Sequence, residues 1–170
     1  MGRRISLPMT DMLGSDEAPT TATMRKRLGG RLDGAISVVT PRGVVTVGSF
    51  VELSSSDGTA TKPGVLLTVE GDAVDVYMAG GLVRRTRADF IAPRSRAPED
   101  LVPIAESAAV FARLGEGQAV EVERAEGLVE RGTLVEKCRY GALVKLASDV
   151  VLAVGFRKVW PAVVASQSQS

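Results

Sequence analysis

The chain has 170 residues with a formal net charge of +1, one cysteine and no histidine. This balance argues against attraction of the whole chain to nucleic acid, which usually requires a clear basic excess. The lack of histidine removes the commonest general base and most zinc-binding sets. One cysteine excludes an internal disulfide and suits a reducing compartment. We therefore expect a cytoplasmic protein that is not an enzyme and uses neither a cofactor nor a metal ion.

The two ends of the chain are polar and lack hydrophobic periodicity. Residues 1–31 hold six basic and three acidic residues without a sustained helical or strand period. They are predicted to form a disordered basic arm, and residues 165–170 a disordered tail. The apolar segments between these ends are far shorter than the roughly 20 residues of a membrane-spanning helix, so no membrane contact is expected.

The folded part contains an internal repeat over residues 32–96 and 115–164. Each copy has a strand, a polar turn, a strand opened by glycine, a tight turn, an alternating strand, a second turn and a last strand that reaches a proline. In the alternating strand of the first copy, Val74, Val76 and Met78 share one face. Short strands at this spacing favour a small closed barrel in each copy. An additional hairpin is predicted over residues 35–45.

Between the two copies, residues 97–114 favour an α-helix. Leu101, Ile104, Ala108 and Phe111 fall at helical spacing, and a glycine ends the run. Acidic residues precede the run, as suits the N-terminus of a helix. We expect this linker helix to pack on the two barrels or to bridge them.

The second copy carries the segments G-x-x-V-E-V, G-x-L-V, G-A-L-V-K-L and V-W-P within residues 117–161, and residues 48–93 carry a weaker version. This pattern resembles the Tudor and Agenet branch of SH3-like barrels. The resemblance implies a mainly β fold made of two small SH3-like or Tudor-like β-barrels joined by one α-helix. It also implies recognition of a protein, a peptide or nucleic acid, without catalysis. Our first hypothesis is a binding or adaptor protein that recognises a protein partner, and self-association is a further expectation.

Aromatic side chains are candidates for a partner-binding surface. Many Tudor domains hold a methylated cation within a cage of aromatic faces. The strand phase of Tyr140 and Phe156 places both with core residues, so core packing is the simpler interpretation for them. Tyr77 and Trp160 are the better candidates for contact with a partner.

A cluster of arginines near the end of the first copy supports an alternative function. In strand alternation, Arg85 and Arg87 share a face while Arg84 lies on the other. Together with the basic arm, these arginines suit contacts to a phosphate backbone, so the alternative is a nucleic-acid-associated protein. The competing interpretation is that they keep an exposed strand edge from pairing with other chains.

A short basic motif supports a third function. Arg27-x-x-x-Arg31, followed by Glu52-x-Ser54, is similar to the PilZ pattern, in which an Arg-x-x-x-Arg segment and an Asp/Asn-x-Ser-x-x-Gly strand bind cyclic di-GMP. The resemblance implies that Arg27, Arg31 and Ser54 contact the nucleotide, with guanidinium groups pairing its phosphates. The sequence departs from the pattern, because Glu52 replaces Asp or Asn and Gly58 comes one position late.

Overall fold

The computed structural model describes residues 20–55, 57–125 and 127–163. In these residues the chain is mainly β, as predicted, with two five-stranded antiparallel sheets and one two-stranded hairpin. Two α-helices accompany the sheets, one more than predicted. None of the helices within the described residues is both long and apolar enough to cross a membrane.

The first element corrects the prediction for the N-terminal arm. Residues 1–19 of that arm, and 164–170 at the other end, lie outside the described residues. Residues 20–31 are ordered, so the predicted disorder of the whole arm is wrong for this part. Helix α1 spans Thr21–Arg27 and begins at a cap, where the Thr20 hydroxyl accepts a hydrogen bond from the Thr23 N–H at 3.1 Å.

The predicted hairpin follows. Strand β1, Ser37–Thr40, pairs antiparallel with β2, Gly43–Thr46. Val45 on its inner face is buried in the core of the first sheet. Val39 and Val44 face each other across the strands on the outer face, where both are exposed.

The first five-stranded sheet, here called the first module, contains strands that are all antiparallel to their neighbours. They are β3 Phe50–Ser54, β4 Thr61–Glu70, β5 Ala73–Met78, β6 Val83–Arg87 and β7 Ile91–Pro93. Their order is β6-β5-β4-β3-β7, so the first strand pairs with both the second and the last. A 3-10 turn, Ala88–Phe90, immediately precedes β7. The alternating valines predicted for β5 are buried in the core of this sheet.

The second sheet, here called the second module, repeats this arrangement. Its strands are β8 Ala119–Glu123, β9 Val129–Lys137, β10 Gly141–Leu146, β11 Val151–Gly155 and β12 Val159–Pro161. Their order, β11-β10-β9-β8-β12, is the same as in the first module. A 3-10 turn, Phe156–Lys158, again precedes the last strand. The sequence repeat therefore corresponds to a repeat of strand order.

Helix α2, Val102–Ala112, lies within the segment predicted to be helical and contacts both modules. Ile104 and Ala108 are buried in the core of the first module. Phe111 is buried in the core of the second. The Lys137 ammonium donates a hydrogen bond to the Phe111 carbonyl at 2.8 Å, which satisfies a backbone acceptor at the end of the helix.

The ordered N-terminal segment packs on the second module, although the first module follows it in the chain. Met24 and Leu28 are buried against Cys138 and Leu143. Backbone hydrogen bonds join residues 28–32 to residues 137–140 of the second module. A seven-residue helix is too short to be stable alone, so these contacts must order it. We call residues 20–32 the N-terminal strap.

Gly48 allows α2 to approach the turn between β2 and β3. Its φ of +91° lies in the left-handed region, which favours glycine. A Cβ atom at this position would lie 2.7 Å from the Cβ atom of Ala109 in α2. Both the backbone conformation and the close approach of the helix therefore require glycine.

Substitution of two glycines separates these two requirements. Gly58→Ala changes a residue of similar φ, +75°, with nothing near its Cβ position, so it measures the conformational cost alone. Gly48→Ala adds the overlap with α2, and we expect it to lower the free energy of unfolding by about 1–3 kcal/mol more than Gly58→Ala does. Urea denaturation followed by circular dichroism measures both changes. Equal effects would contradict the close packing of α2.

Candidate functional site

The arginines of β6 lie on two faces of the strand, as predicted. Arg85 and Arg87 share one face, and both are neutralised there. Arg85 contacts Asp75 at 2.9 Å and Glu70 at 3.0 Å. Arg87 pairs with Asp72 at 3.0 Å, and both of these side chains are largely exposed. The structure therefore gives Arg85 and Arg87 partners within their own module.

Asp75 is the most deeply buried charged residue described, with 0% of its surface exposed. Its carboxylate accepts a hydrogen bond from the Thr68 hydroxyl at 2.6 Å in addition to that from Arg85. Arg139 of the second module approaches the same oxygen, with its Nε at 3.4 Å, and also donates to Glu70. The Arg139 hydrogen bond is the main reason why the pKa of Glu70 lies below its usual value.

These four charged residues form what we call the Arg139 cluster: Glu70, Asp75, Arg85 and Arg139. Two carboxylates and two guanidinium groups balance each other in charge. Three of the residues belong to the first module and one to the second. Arg139 also donates to the Gly29 carbonyl at 2.7 Å, so the cluster reaches the N-terminal strap. Its contacts join both modules and the strap.

Arg84 lies on the other face of β6, beside two adjoining cavities of about 110 and 330 Å³. Both cavities are lined by Leu53, Ser54, Ser55 and Arg84. One or the other is also lined by Ala60, Lys62, Met78, Thr86 and Phe90. We call this surface the Arg84 groove. The larger cavity is within the size range of small-ligand pockets, about 300–1,000 Å³.

The Arg84 groove combines cations with hydroxyl and apolar groups. Neither Arg84 nor Lys62 has an ion-pair partner among the residues that the structure describes. Ser54, which carries a hydroxyl group, lies in the wall that both cavities share. Phe90 keeps 40% of its surface exposed at one end of the groove. This set of groups suits an anion that carries an apolar neighbour.

The loop that forms one wall of the groove is held by Asp57. Its carboxylate accepts hydrogen bonds from the Ser55 hydroxyl at 2.6 Å and from the N–H and hydroxyl of Thr59. These bonds, with the Ser55 hydroxyl first among them, lower the pKa of Asp57 to about 2. The loop is therefore shaped by its own side chains, as is typical of turns rich in Ser, Thr and Asp.

The second module has a groove at the equivalent place. The last strands give the alignment, because Leu53 pairs with Ile91 as Val122 pairs with Val159. On this register the positions of Ser54 and Phe90 correspond to Glu123 and Lys158. The pairings across each sheet make Arg84, opposite Val76, correspond to Leu152, opposite Val144. These three equivalent residues line a cavity of about 320 Å³.

The charges of the second groove are paired within the module. Lys158 lies 3.5 Å from Glu123, and Arg124 lies 3.3 Å from Glu130. Leu152 stands where the first module has Arg84. Each module thus has a groove at this place. Among the described residues, the cations that line the groove of the second module are paired, and Arg84 and Lys62 in the groove of the first module are not.

The two predicted aromatic residues lie in different modules. Tyr77 is half-buried and packs against the core of the first module. The Trp160 indole N–H donates a hydrogen bond to Glu121 at 3.0 Å on the neighbouring strand. Tyr140 and Phe156 are half-buried and both contact the first module's core, so they lie where the modules meet. No described contact assembles these rings into a cage.

The residues of the PilZ-like pattern are not brought together. Arg31 belongs to the strap and lies 3.2 Å from Glu116 and 3.6 Å from Glu136. Arg27 is exposed on α1. Ser54 lies in the Arg84 groove, and no described contact joins it to either arginine. The structure instead places Ser54 with Arg84, a pair that sequence reasoning assigned to two different functions.

Cys138 is buried beneath the strap, and burial raises the pKa of its thiol. A protonated, inaccessible thiol is a poor nucleophile. Within the described ranges, no group of three or more acidic, cysteine or histidine side chains is placed to hold a metal ion.

The chain matches no protein-family model and no curated protein. Its likeness to Tudor and Agenet modules therefore rests on the residue pattern of the repeat.

Sequence reasoning missed several functional and structural residues. Lys62 and Phe90 were not associated with Arg84, although aligning the two copies at their last strands would have placed Phe90 at the groove. Local sequence patterns could not predict that Arg139 binds Glu70 or that Arg25 binds Glu136. These hydrogen-bonded residues lie 69 and 111 positions apart along the chain.

The Arg139 cluster predicts unequal effects for two arginine substitutions. Arg139→Ala withdraws one of the two guanidinium groups near the buried Asp75, and we expect a loss of about 2–3 kcal/mol in the free energy of unfolding. Arg87→Ala removes an exposed pair and should cost less than about 1 kcal/mol. Urea denaturation of both variants measures the difference. A cost for Arg139→Ala as small as that for Arg87→Ala would show that the cluster contributes little.

Two carboxylates predict a loss of stability in acid. The hydrogen bonds from Arg139 and Arg25, respectively, hold the pKa values of Glu70 and Glu136 below the ordinary 4.5. Their ionised forms therefore stabilise the folded state above about pH 4.5, and this contribution disappears as the pH falls through the lowered pKa values. Urea titrations should show stability declining below about pH 4.5.

Arg25→Gln should make that decline shallower, because it removes the hydrogen bonds that lower the pKa of Glu136. Arg27→Gln, two positions away on the exposed side of α1, is the control and should leave the decline unchanged. An unaltered pH dependence in Arg25→Gln would contradict the role given to this pair.

Proposed function

We propose that the protein is a non-catalytic binding protein whose two modules are SH3-like barrels of the Tudor-like type, and that it recognises a protein partner through the Arg84 groove. The identical strand order of the two sheets supports the barrel assignment, because in each sheet the first strand pairs with both the second and the last. Curling of such a sheet would bring its edge strands toward each other around the buried core.

The observation that carries the proposal is the difference between two equivalent grooves. In the second module, Glu123 and Lys158 neutralise each other, and the position of Arg84 is occupied by Leu152. In the first module, Arg84 and Lys62 face the cavities without an ion-pair partner among the described residues. An unpaired guanidinium beside a hydroxyl and an exposed ring is a typical arrangement for recognition of another molecule.

The contacts between the modules support a rigid presentation of this groove. Helix α2 is buried in both cores, and Arg139 binds carboxylates of the first module. The strap packs on the second module and continues directly into the first. A preformed groove on a rigid support loses less conformational entropy on binding than a mobile loop does.

The two alternatives receive less support. Nucleic-acid association was expected to use Arg84, Arg85 and Arg87 together, but Arg85 and Arg87 are paired with carboxylates. Cyclic di-GMP binding was expected to use Arg27 and Arg31, but Arg31 is paired with Glu116 and Glu136. Either ligand would have to compete with existing ion pairs.

Site-specific photocrosslinking in the producing cell tests the proposal. A photoreactive phenylalanine analogue is introduced at Phe90, in the Arg84 groove, and separately at the equivalent Lys158. We expect a discrete protein adduct from position 90, and no such adduct from position 158. The adduct should disappear when Arg84→Ala is added, because the anchoring cation is lost.

Arg87→Ala is the matched control, since this residue lies on the opposite face of the same strand, and it should leave the adduct intact. Identical adducts from both positions, or an adduct from position 90 that persists in Arg84→Ala, would contradict the proposed site.

A further inference from the structure

We propose that the ligand of the Arg84 groove is an extended peptide segment in which an Asp or Glu carboxylate and an apolar side chain lie two positions apart and so share one face. This inference rests on the proposed function and specifies its ligand. It follows from three properties of the groove: its charge, its apolar surface and the strand that borders it.

The charge of the groove selects an anionic group. Arg84 and Lys62 line the smaller cavity together, and among the described residues neither is neutralised by an acid. A guanidinium offers two parallel N–H donors, which match the two oxygens of a carboxylate. The Ser54 hydroxyl in the same wall supplies another donor. The carboxylate of the peptide is expected to bind here.

The apolar surface selects a second residue of the peptide, on the same face as the carboxylate. Leu53 and Met78 line the smaller cavity, and Phe90 lines the larger one with 40% of its surface exposed. In an extended peptide, side chains two positions apart lie on the same face. Because both cavities share the wall that contains Arg84, an apolar side chain two positions from the carboxylate can cover the Phe90 ring in the larger cavity. Burial of that side chain adds affinity through the area it removes from water.

The bordering strand selects an extended backbone. Strand β6 is the last strand on its side of the sheet and, within the described residues, pairs only with β5. Its outer edge therefore offers backbone N–H and C=O groups to a further strand, as in peptide recognition by strand addition. A peptide that follows this edge passes Arg84 and Thr86, which both line the groove.

The surroundings disfavour a phosphate polymer. Asp57, in the loop that forms one wall of the groove, and Asp89, next to Phe90 in the chain, are both exposed. Nucleic acid would bring phosphates near these carboxylates and would need several free cations in a row. A single carboxylate placed between Arg84 and Lys62 avoids that repulsion.

The test uses the full chain and immobilised libraries of short peptides. One library has a central glutamate, an apolar residue two positions to either side of it and randomised residues elsewhere, and matched libraries carry glutamine or phosphoserine in place of the glutamate. We expect at least about tenfold more binding to the glutamate library than to the glutamine library, the change expected for loss of a charge-assisted contact. Arg84→Gln should abolish this preference, Arg84→Lys should reduce it, and Arg87→Gln should leave it unchanged.

A measurement on the unaltered chain guards against misfolding of the variants. When a peptide selected from the glutamate library is added, amide resonances of Ser54, Arg84 and Phe90 should shift in NMR spectra. Those of the equivalent Glu123, Leu152 and Lys158 should remain in place. Shifts confined to the second module would overturn the inference even if the peptide binds.

Other outcomes overturn the inference in recognisable ways. Equal binding of the glutamate and glutamine libraries removes the anionic requirement, and a tenfold preference for phosphoserine makes the ligand a phosphopeptide. Binding of single-stranded DNA or RNA that requires Arg84 makes it a nucleic acid. If the peptides fail while the Arg84-dependent crosslink at position 90 persists, the ligand class is wrong and the proposed function stands. If both fail, neither holds.

Discussion

The relative placement of the two modules depends on one buried carboxylate. Asp75 has no exposed surface, and a charge in that position requires compensation by hydrogen bonds and opposite charge. Its compensation comes from Thr68 and Arg85 in its own module and from Arg139 in the other. Moving the modules apart would withdraw Arg139 from two carboxylates at once. The same side chain binds the Gly29 carbonyl, so modules and strap share one electrostatic anchor.

Against this common scaffold, the two modules differ where an interaction with another molecule would occur. The same strand order produces a groove in each, bounded by the end of the first strand and by the fourth strand. In the second module the groove is occupied by its own ion pairs, Glu123 with Lys158 and Arg124 with Glu130. In the first module, Ser54 and Phe90 stand at the positions of Glu123 and Lys158, so this ion pair has no equivalent there. Few substitutions therefore distinguish a groove whose charged side chains are paired within the module from a groove whose cations are free to bind a ligand.

Much of the fold was accessible from the sequence, because local patterns specify local structure. Alternating apolar residues predicted β5 and β10, helical spacing predicted α2, and alternation placed Arg84 opposite Arg85. The ion pairs and the order of the strap were not accessible, since they join residues that only the folded chain brings together. For the candidate site, Arg84 and Ser54 were each recognised, but β3 and β6 are not neighbours in the sheet, so their meeting at one groove depends on the registers through β4 and β5 and on the folded shape of the sheet.

The strap gives the chain an unusual order of assembly. Arg25 and its partner Glu136 are separated by 111 positions, and the whole first module lies between them. During synthesis at about 5–20 residues per second, α1 leaves the ribosome roughly 5–20 seconds before its partner exists. The first module can form its sheet in that interval, whereas α1 cannot pack until the second module has been synthesised. Closure of the strap is thus a late event that requires a completed second module, and a truncated chain would expose Met24 and Leu28.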